Sequence, residues 1–386
     1  MSSADGRSAG PGPTRRELIR LAGFGLLAAL PARAAEPAKF LVRSSRPQDL
    51  EPEISALDES FTPNDTFFIR SHFGPPSERI ARDYRLAIVG GSSGHPHSLS
   101  IRDLEALPQL SLPAVLQCSG NGRALFGPKV PGAQWGKGAV GQALWSGPRL
   151  SEILRRVGIG AGSHHVQLLG ADLPPMPTTP RILRSIPLER ALAETTIVAL
   201  RMNGQPLPHL HGGPARLVVP GWVGDHWVKW LREISLAPAE ADGFYMKVAY
   251  RMPRTAVQPG QKVDPADEDP VQELPVKSLL TGPRDGARVQ AGAELSLRGF
   301  AFAGLHGIRS VELSVDGGPW QTTQLEPLRS PGAWQRFSLA FAPKAGAHRV
   351  RSRATDSRGA VQPDVTPWNP GGYLWNGIDE ITFSAA

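Results

Sequence analysis

Pro208-His-Leu-His211-Gly-Gly-Pro-Ala-Arg216-Leu-Val-Val-Pro-Gly221-Trp-Val-Gly224-Asp-His-Trp-Val-Lys229-Trp230 spreads His211, Arg216 and Lys229 among glycines and prolines. Arg216–Val219 reads as a short strand, and the flanking glycines let the backbone approach a ligand closely. Cations spaced in this way suit an extended anionic group, with positive charge placed for a phosphate. His209-x-His211 has the spacing of a zinc pair, yet no third or fourth ligand of suitable type follows at useful spacing. His95-Pro-His97 and His164-His165 read as histidines of surface loops or strands.

Upstream lies Leu112-Pro-Ala-Val-Leu-Gln-Cys118-Ser-Gly-Asn-Gly-Arg123, which holds the only cysteine of the 386 residues. A single Cys excludes an internal disulfide, a CxxC redox pair, a Cys-ligated iron–sulfur cluster and a CxxCH haem attachment. A lone Cys is most often a small buried hydrophobe. This one instead follows an apolar strand-like run and opens a Gly-rich loop, with Arg123 five residues on to favour a thiolate. A thiolate is a soft ligand, better suited to a polarisable metal centre than to Mg or Ca. A third cluster, Pro63-Asn-Asp-Thr-Phe-Phe-Ile-Arg70-Ser-His72, places Arg70 and His72 two apart, on one face of an extended segment. An Arg with a His suits an oxyanion, though a solvated strand-edge Arg has the same sequence signature.

The composition, 40% hydrophobic and 20% charged, is that of a globular protein large enough for two domains. The formal charge is +7, of which residues 1–34, with five Arg and two acids, contribute +3. The remaining +4 is mildly basic, and no Lys/Arg run with interleaved aromatics points to nucleic acid. Residues 1–34 read as an export signal: Arg15-Arg16, an apolar stretch from Leu21 to Leu30, then Ala32-Arg33-Ala34. The apolar stretch is too short to span a bilayer, and the paired arginines match a twin-arginine signal rather than an ordinary one. Periplasmic location is therefore expected, with no membrane span in the mature chain.

Residues 35–257 mix short helices and strands. Ser100-Ile101-Arg102-Asp103 caps a helix. Leu150, Ile153, Leu154 and Val157 repeat at helical spacing, and Gly158 stops them. Strands are expected at His165–Leu169, Thr196–Met202 and Arg216–Val219, with a hairpin turn at Asn203-Gly204. This irregular order indicates an α+β domain rather than a doubly wound sheet. Residues 258–272, rich in Pro and acids, read as a linker. From 273 to 386 short alternating strands (Val289–Arg298, Ile308–Val315, Trp334–Ala340, Ala347–Ala354) separated by turns such as Asp316-Gly317-Gly318 predict an immunoglobulin-like β-sandwich.

Together, FFIRSH, LQCSGNGR, LHGGPARLVVPGWVGDHWVKWL, AYRMP and the terminal Trp368-Asn369-Pro370-Gly371-Gly372-Tyr373 resemble the sulfite oxidase family of molybdopterin enzymes, over about residues 60 to 380. Among its members, the YRMP segment and the lack of other cofactor domains look most like bacterial periplasmic sulfite dehydrogenases. The resemblance implies molybdenum and molybdopterin as cofactor, no haem on this chain, and a mixed α/β catalytic domain followed by a dimerisation-type sandwich. It implies Cys118 as the metal ligand, Arg70, Arg123 and Tyr250 around the substrate, and His72, His211, Arg216 and Lys229 on the pterin and its phosphate. Trp135 falls where the family has a pocket-wall tryptophan. Tyr250 carries no signal of its own in the spacing. The implied reaction is oxidation of sulfite to sulfate with single electrons leaving to an external acceptor such as a c-type cytochrome, from a homodimer. The alternative is sulfane-sulfur dehydrogenation in thiosulfate oxidation, or another oxo-transfer reaction on the same fold.

Overall fold

The computed structural model describes residues 40–386 as one compact unit. The expected export signal, and the start of the first domain at residue 35, lie outside the described residues. Among the described residues no helix is long and apolar enough to cross a membrane.

The first half is built on two main sheets. A mixed five-stranded sheet runs His97–Leu99, Leu86–Val89, Leu231–Ala237, His165–Gly170, Leu183–Pro187, with 86–89 and 231–237 parallel and the other neighbours antiparallel. An antiparallel four-stranded sheet runs Gln205–Pro206, Arg201–Met202, Val140–Pro148, Gln109–Gln117. Helix Leu150–Val157 forms where the periodicity places it. Leu150, Ile153, Leu154 and Val157 are all buried, and Gly158, at φ 75°, ends it. Ser100 and Asp103 make a reciprocal capping box at the start of Ile101–Glu105. Asn203 and Gly204, both at positive φ, turn the hairpin between 201–202 and 205–206.

Three sequence expectations change. The strand expected over Thr196–Met202 splits: Ile197–Ala199 pairs with Arg216–Val218, and Arg201–Met202 pairs with Val140–Pro148. The chain changes partners at Leu200, which periodicity cannot show because residues 196–200 form one continuous buried run. The expected strand Val289–Arg298 is broken at Gly292 (φ 75°) into Ala287–Val289 and Leu295–Phe302. The acidic 258–272 stretch is only partly a connector, because Glu268–Pro270 forms a hairpin with Arg251–Pro253. Val271 and Leu274 are 2% and 1% exposed, and their burial draws this end of the segment onto the domain.

The second half is the β-sandwich that the alternation predicts. Lys277–Gly282, Leu295–Phe302, Gln335–Phe341 and Gln324–Leu325 form one sheet. Ala287–Val289, Asp379–Ala385, Gly346–Asp356, Ile308–Val315 and Gln321–Thr322 form the other. The strand Lys277–Gly282 is buried at every position, which two-sided burial requires where the sandwich backs onto the first half. A shared apolar seam joins the halves: Val115, Val140 and Val223 pack with Leu279, Phe300 and Trp334. Each fully buried side chain there contributes on the order of 2 kcal/mol. The seam begins two residues before the end of the strand that delivers Cys118.

Candidate active site

Strand Gln109–Gln117 ends at Cys118, whose N–H donates to Ala139 O (3.0 Å). The following turn closes on itself, with Asn121 N donating to Cys118 O (2.9 Å) and Arg123 N to Gly120 O (2.9 Å). Gly122 is obligatory: it sits at φ 87°, and a Cβ there would come within 2.6 Å of Trp375. Gln117 is clamped as well. Its Oε1 accepts from Asn121 Nδ2 and from the buried Lys277 Nζ of the sandwich, both at 3.1 Å. The second domain therefore helps to hold the residue next to the thiol.

Cys118 opens into a cleft lined by both apolar and charged side chains, the kind of site that takes a small organic cofactor or substrate. Seven of the sequence candidates line it together: Arg70, His72, Cys118, His211, Arg216, Lys229 and Tyr250. Although the sulfur faces the cleft, depth from bulk water pushes the thiol pKa up, against the pull of Arg70 and Arg123. Without a cation the sulfur stays protonated, so a metal would take the place of a proton.

One side of the cleft is an anion cradle. Arg216 donates to His211 O (2.9 Å) and Trp227 O (2.8 Å), and its guanidinium lies 5.1 Å from the Trp145 ring centroid. Burial alone lowers its pKa to about 9, with no carboxylate contributing. Lys229 Nζ donates to Ser71 Oγ (2.9 Å) and Leu210 O (3.1 Å). Its pKa falls to about 7, first through burial and then through Arg216, while Asp172 and Asp49 offset this only in part. Buried charge is costly unless paired. Two adjacent, incompletely neutralised cations at the bottom of a cleft are what a phosphate-bearing ligand would satisfy. Burial likewise lowers His211 to about 4, so the ring is neutral at pH 7; its Nε2 bonds Asn64 O (2.8 Å), which fixes the proton there.

Arg70, His72 and Tyr250 line the same cleft, and Lys229 reaches Ser71 between the first two. Register places Asp49 opposite Arg70 on the paired strand, and Arg70 Nη1 donates to Asp49 Oδ1 (3.1 Å). Burial works against this guanidinium, but the paired Asp49 carboxylate opposes it, so it stays charged. His72 is held neutral by burial, then by Arg70 and Lys229, and its Nε2 shares a hydrogen bond with the Tyr250 hydroxyl. Tyr250 is at φ 60°, a conformation that a bulky residue adopts only when its surroundings impose it. It stacks on Tyr373 (5.5 Å between centroids), whose hydroxyl accepts from Tyr250 N (3.3 Å).

Two candidates lie elsewhere. Arg123 does not line the cleft: its Nε donates to Gly371 O (3.0 Å) and its Nη1 to Ala133 O (3.2 Å), behind the cysteine loop. Its charge still reaches the thiol. Trp135 is fully buried, edge-on to Phe68, and forms no part of the wall. Conversely, sequence reasoning passed over Ser119, Asp172 and Asp225, all on the wall. Asp225 stood in plain view beside Gly224, but a single Asp between a Gly and a His has no signature. Burial raises its pKa to about 6 against the influence of Arg184, and its Oδ1 accepts from Ser119 Oγ (3.2 Å).

Residues 72–245 match the oxidoreductase molybdopterin binding domain, and residues 268–379 match the Mo-co oxidoreductase dimerisation domain. Sulfite oxidase of Arabidopsis thaliana is 31% identical over 362 residues, covering 86% of this chain and 91% of that protein. The chain belongs to the sulfite oxidase family. Human mitochondrial sulfite oxidase, another relative, is 37% identical over 353 residues, 87% of this chain. The chain spans 64% of the length of that relative. The crystal structure of the sulfane dehydrogenase SoxCD from Paracoccus pantotrophus superposes with a TM-score of 0.78 at 27% identity, over 96% of each chain. The family's cofactor is molybdenum bound to molybdopterin, and this cleft fits it, with one soft thiol facing a cradle of under-neutralised buried cations. Cys118 is the donor suited to the metal, and His211, Arg216 and Lys229 would hold the pterin and its phosphate when the cofactor is bound.

Proposed function

We propose that this sulfite oxidase family member oxidises sulfite to sulfate in the periplasm and passes the electrons singly to an external acceptor such as a c-type cytochrome. The reading rests chiefly on one arrangement: Arg70, kept charged by Asp49, shares the cleft with the Cys118 thiol and the Tyr250–His72 pair. Sulfite plus water gives sulfate, two protons and two electrons, and the external acceptor takes the electrons. When bound, the molybdenum cofactor supplies the two-electron redox centre and the oxygen that sulfur acquires. The protein must replace the water around a dianion with fixed donors. Arg70 does this through charge-assisted hydrogen bonds worth about 1.5–3 kcal/mol each. The Tyr250 hydroxyl, oriented by neutral His72, is a donor that stays protonated, because burial holds its pKa far above neutrality. Periplasmic location rests on the twin-arginine pattern of residues 1–34, and a homodimer on the dimerisation-domain match.

The structural likeness to sulfane dehydrogenase supports a second reading, oxidation of a sulfane sulfur. Substrate competition separates the two. Purified enzyme with ferricyanide or cytochrome c as acceptor is expected to turn over on free sulfite and to be indifferent to thiosulfate. Turnover restricted to a protein-bound sulfane sulfur would transfer the assignment to the second reading.

A further inference from the structure

Arg184 belongs to none of the motifs above and does not face the cleft. It lies in strand Leu183–Pro187 with 1% of its surface exposed. Its Nη2 is 2.5 Å from Asp225 Oδ2 and 2.9 Å from His226 Nε2, and its Nη1 donates to Tyr245 O. Its guanidinium lies 5.3 Å from the centre of the Tyr250 ring. The other oxygen of Asp225 takes the Ser119 hydroxyl, one residue from Cys118. The turn carrying Asp225 is pressed against the same strand end: a Cβ on Gly224 would fall 2.8 Å from Leu116 and 3.1 Å from Gln117 O.

One enclosed cation thus ties together three chain segments, contributing Ser119, Asp225 and Tyr250 to the wall. Two observations argue that the tie serves geometry rather than stability. A buried ion pair seldom stabilises a fold more than apolar side chains of the same volume. Tyr250 also holds a left-handed backbone that costs about 1–3 kcal/mol and persists only where neighbours over-determine it. Arg184, Tyr373 and His72 all pack against that ring.

We propose that Arg184 is a positioning residue that, acting through Asp225 and Tyr250, fixes the spacing between the Tyr250 hydroxyl and the Cys118 sulfur. The consequence for turnover rests on the sulfite reading above. A displacement of about 1 Å in such a constellation costs on the order of 100-fold in rate.

The test uses holoenzyme of Arg184→Lys, of Arg184→Met and of the double variant Arg184→Met/Asp225→Leu, each with its molybdenum content measured. Arg184→Lys keeps a charge for Asp225 but loses the planar face toward Tyr250 and the second donor to Tyr245 O. It is expected to hold wild-type metal content and a KM within about threefold, while kcat drops at least about tenfold. The molybdenum EPR signal after chemical reduction should change shape. The double variant should regain the Tm lost in Arg184→Met alone without regaining kcat. Wild-type kcat in Arg184→Lys, kcat recovering together with Tm in the double variant, or kcat falling only in proportion to metal would each overturn the proposal. Should wild type not oxidise sulfite at all, that reading fails by itself, and an unchanged EPR signal in Arg184→Lys would then sink the positioning role independently.

Discussion

Lys229→Met should make the cofactor-free protein more stable at neutral pH. Burial, then Arg216, lowers the Lys229 amine to about 7 in the folded chain from an ordinary value of 10.5. At pH 7 the unfolded chain holds this proton and the folded chain only half holds it, so folding is opposed by roughly 4 kcal/mol. Methionine removes that penalty. It also removes two hydrogen bonds, to Ser71 Oγ and Leu210 O, and the contact with the Trp230 ring at 4.2 Å, worth about 2 kcal/mol together. The net gain is about 2 kcal/mol, or some 3 °C in Tm for a chain of this size. The group's folded pKa is depressed, so its penalty is fully present below pH 7 and fades toward 10.5. The advantage of the variant should therefore shrink as pH rises, vanishing near pH 9. Cofactor binding should reverse the order, because the bound anion gives the ammonium a partner that methionine cannot replace. Calorimetric melts of both proteins, purified without and with cofactor from pH 6 to 9.5, would check this. A cofactor-free variant less stable than wild type at pH 7, or an advantage unchanged across that range, would refute the reasoning.

Arg70→Lys keeps a cation for Asp49 but loses the forked donor, so sulfite kcat/KM should fall about tenfold, mostly through KM; steady-state assays would show it, and an unchanged KM would remove Arg70 from the anion site. Arg123→Gln should shift KM less than about threefold while costing about 1–3 kcal/mol of stability, because it leaves the Gly371 and Ala133 carbonyls short of donors. Paired denaturation and kinetic measurements decide that case, and a large KM effect at full stability would return Arg123 to the substrate wall. Gly122→Ala forces a Cβ to within 2.6 Å of Trp375 at a positive φ and should cost about 3 kcal/mol or more, with loss of bound molybdenum; metal analysis of the purified variant tests it.

Residues whose partners lie close along the chain could be read from sequence alone. The 208–230 run brings His211, Arg216 and Lys229 into one cradle because a strand and two Gly-rich turns set their spacing locally. Arg70 and His72 share the cleft wall, as expected for neighbours in an extended segment. Arg123 illustrates the opposite case. Its position after a Gly-rich loop fits a pocket, but Gly132 and Gly372 leave it room to turn away; a Cβ at either would crowd it at 2.8 or 2.9 Å. That space is set in part by a residue about 250 positions downstream, which no local pattern records. Arg184 pairs with Asp225 across 41 residues, Lys277 reaches Gln117 across 160, and Tyr250 reaches His72 across 178. Each looks like an ordinary surface or core residue until the sheets assemble. In the sandwich, Ile308–Val315 forms where alternation places it, whereas the preceding strand starts later because of one left-handed glycine.

The most direct test of the central claim is sulfate production by wild-type and Cys118→Ser enzymes at known molybdenum content. Wild type should carry about one molybdenum per chain and reduce about two ferricyanide per sulfite consumed, as the two-electron balance requires. Cys118→Ser should remain folded and form no sulfate. Sulfate formation by Cys118→Ser at the wild-type rate, or none by molybdenum-replete wild type, would contradict the account.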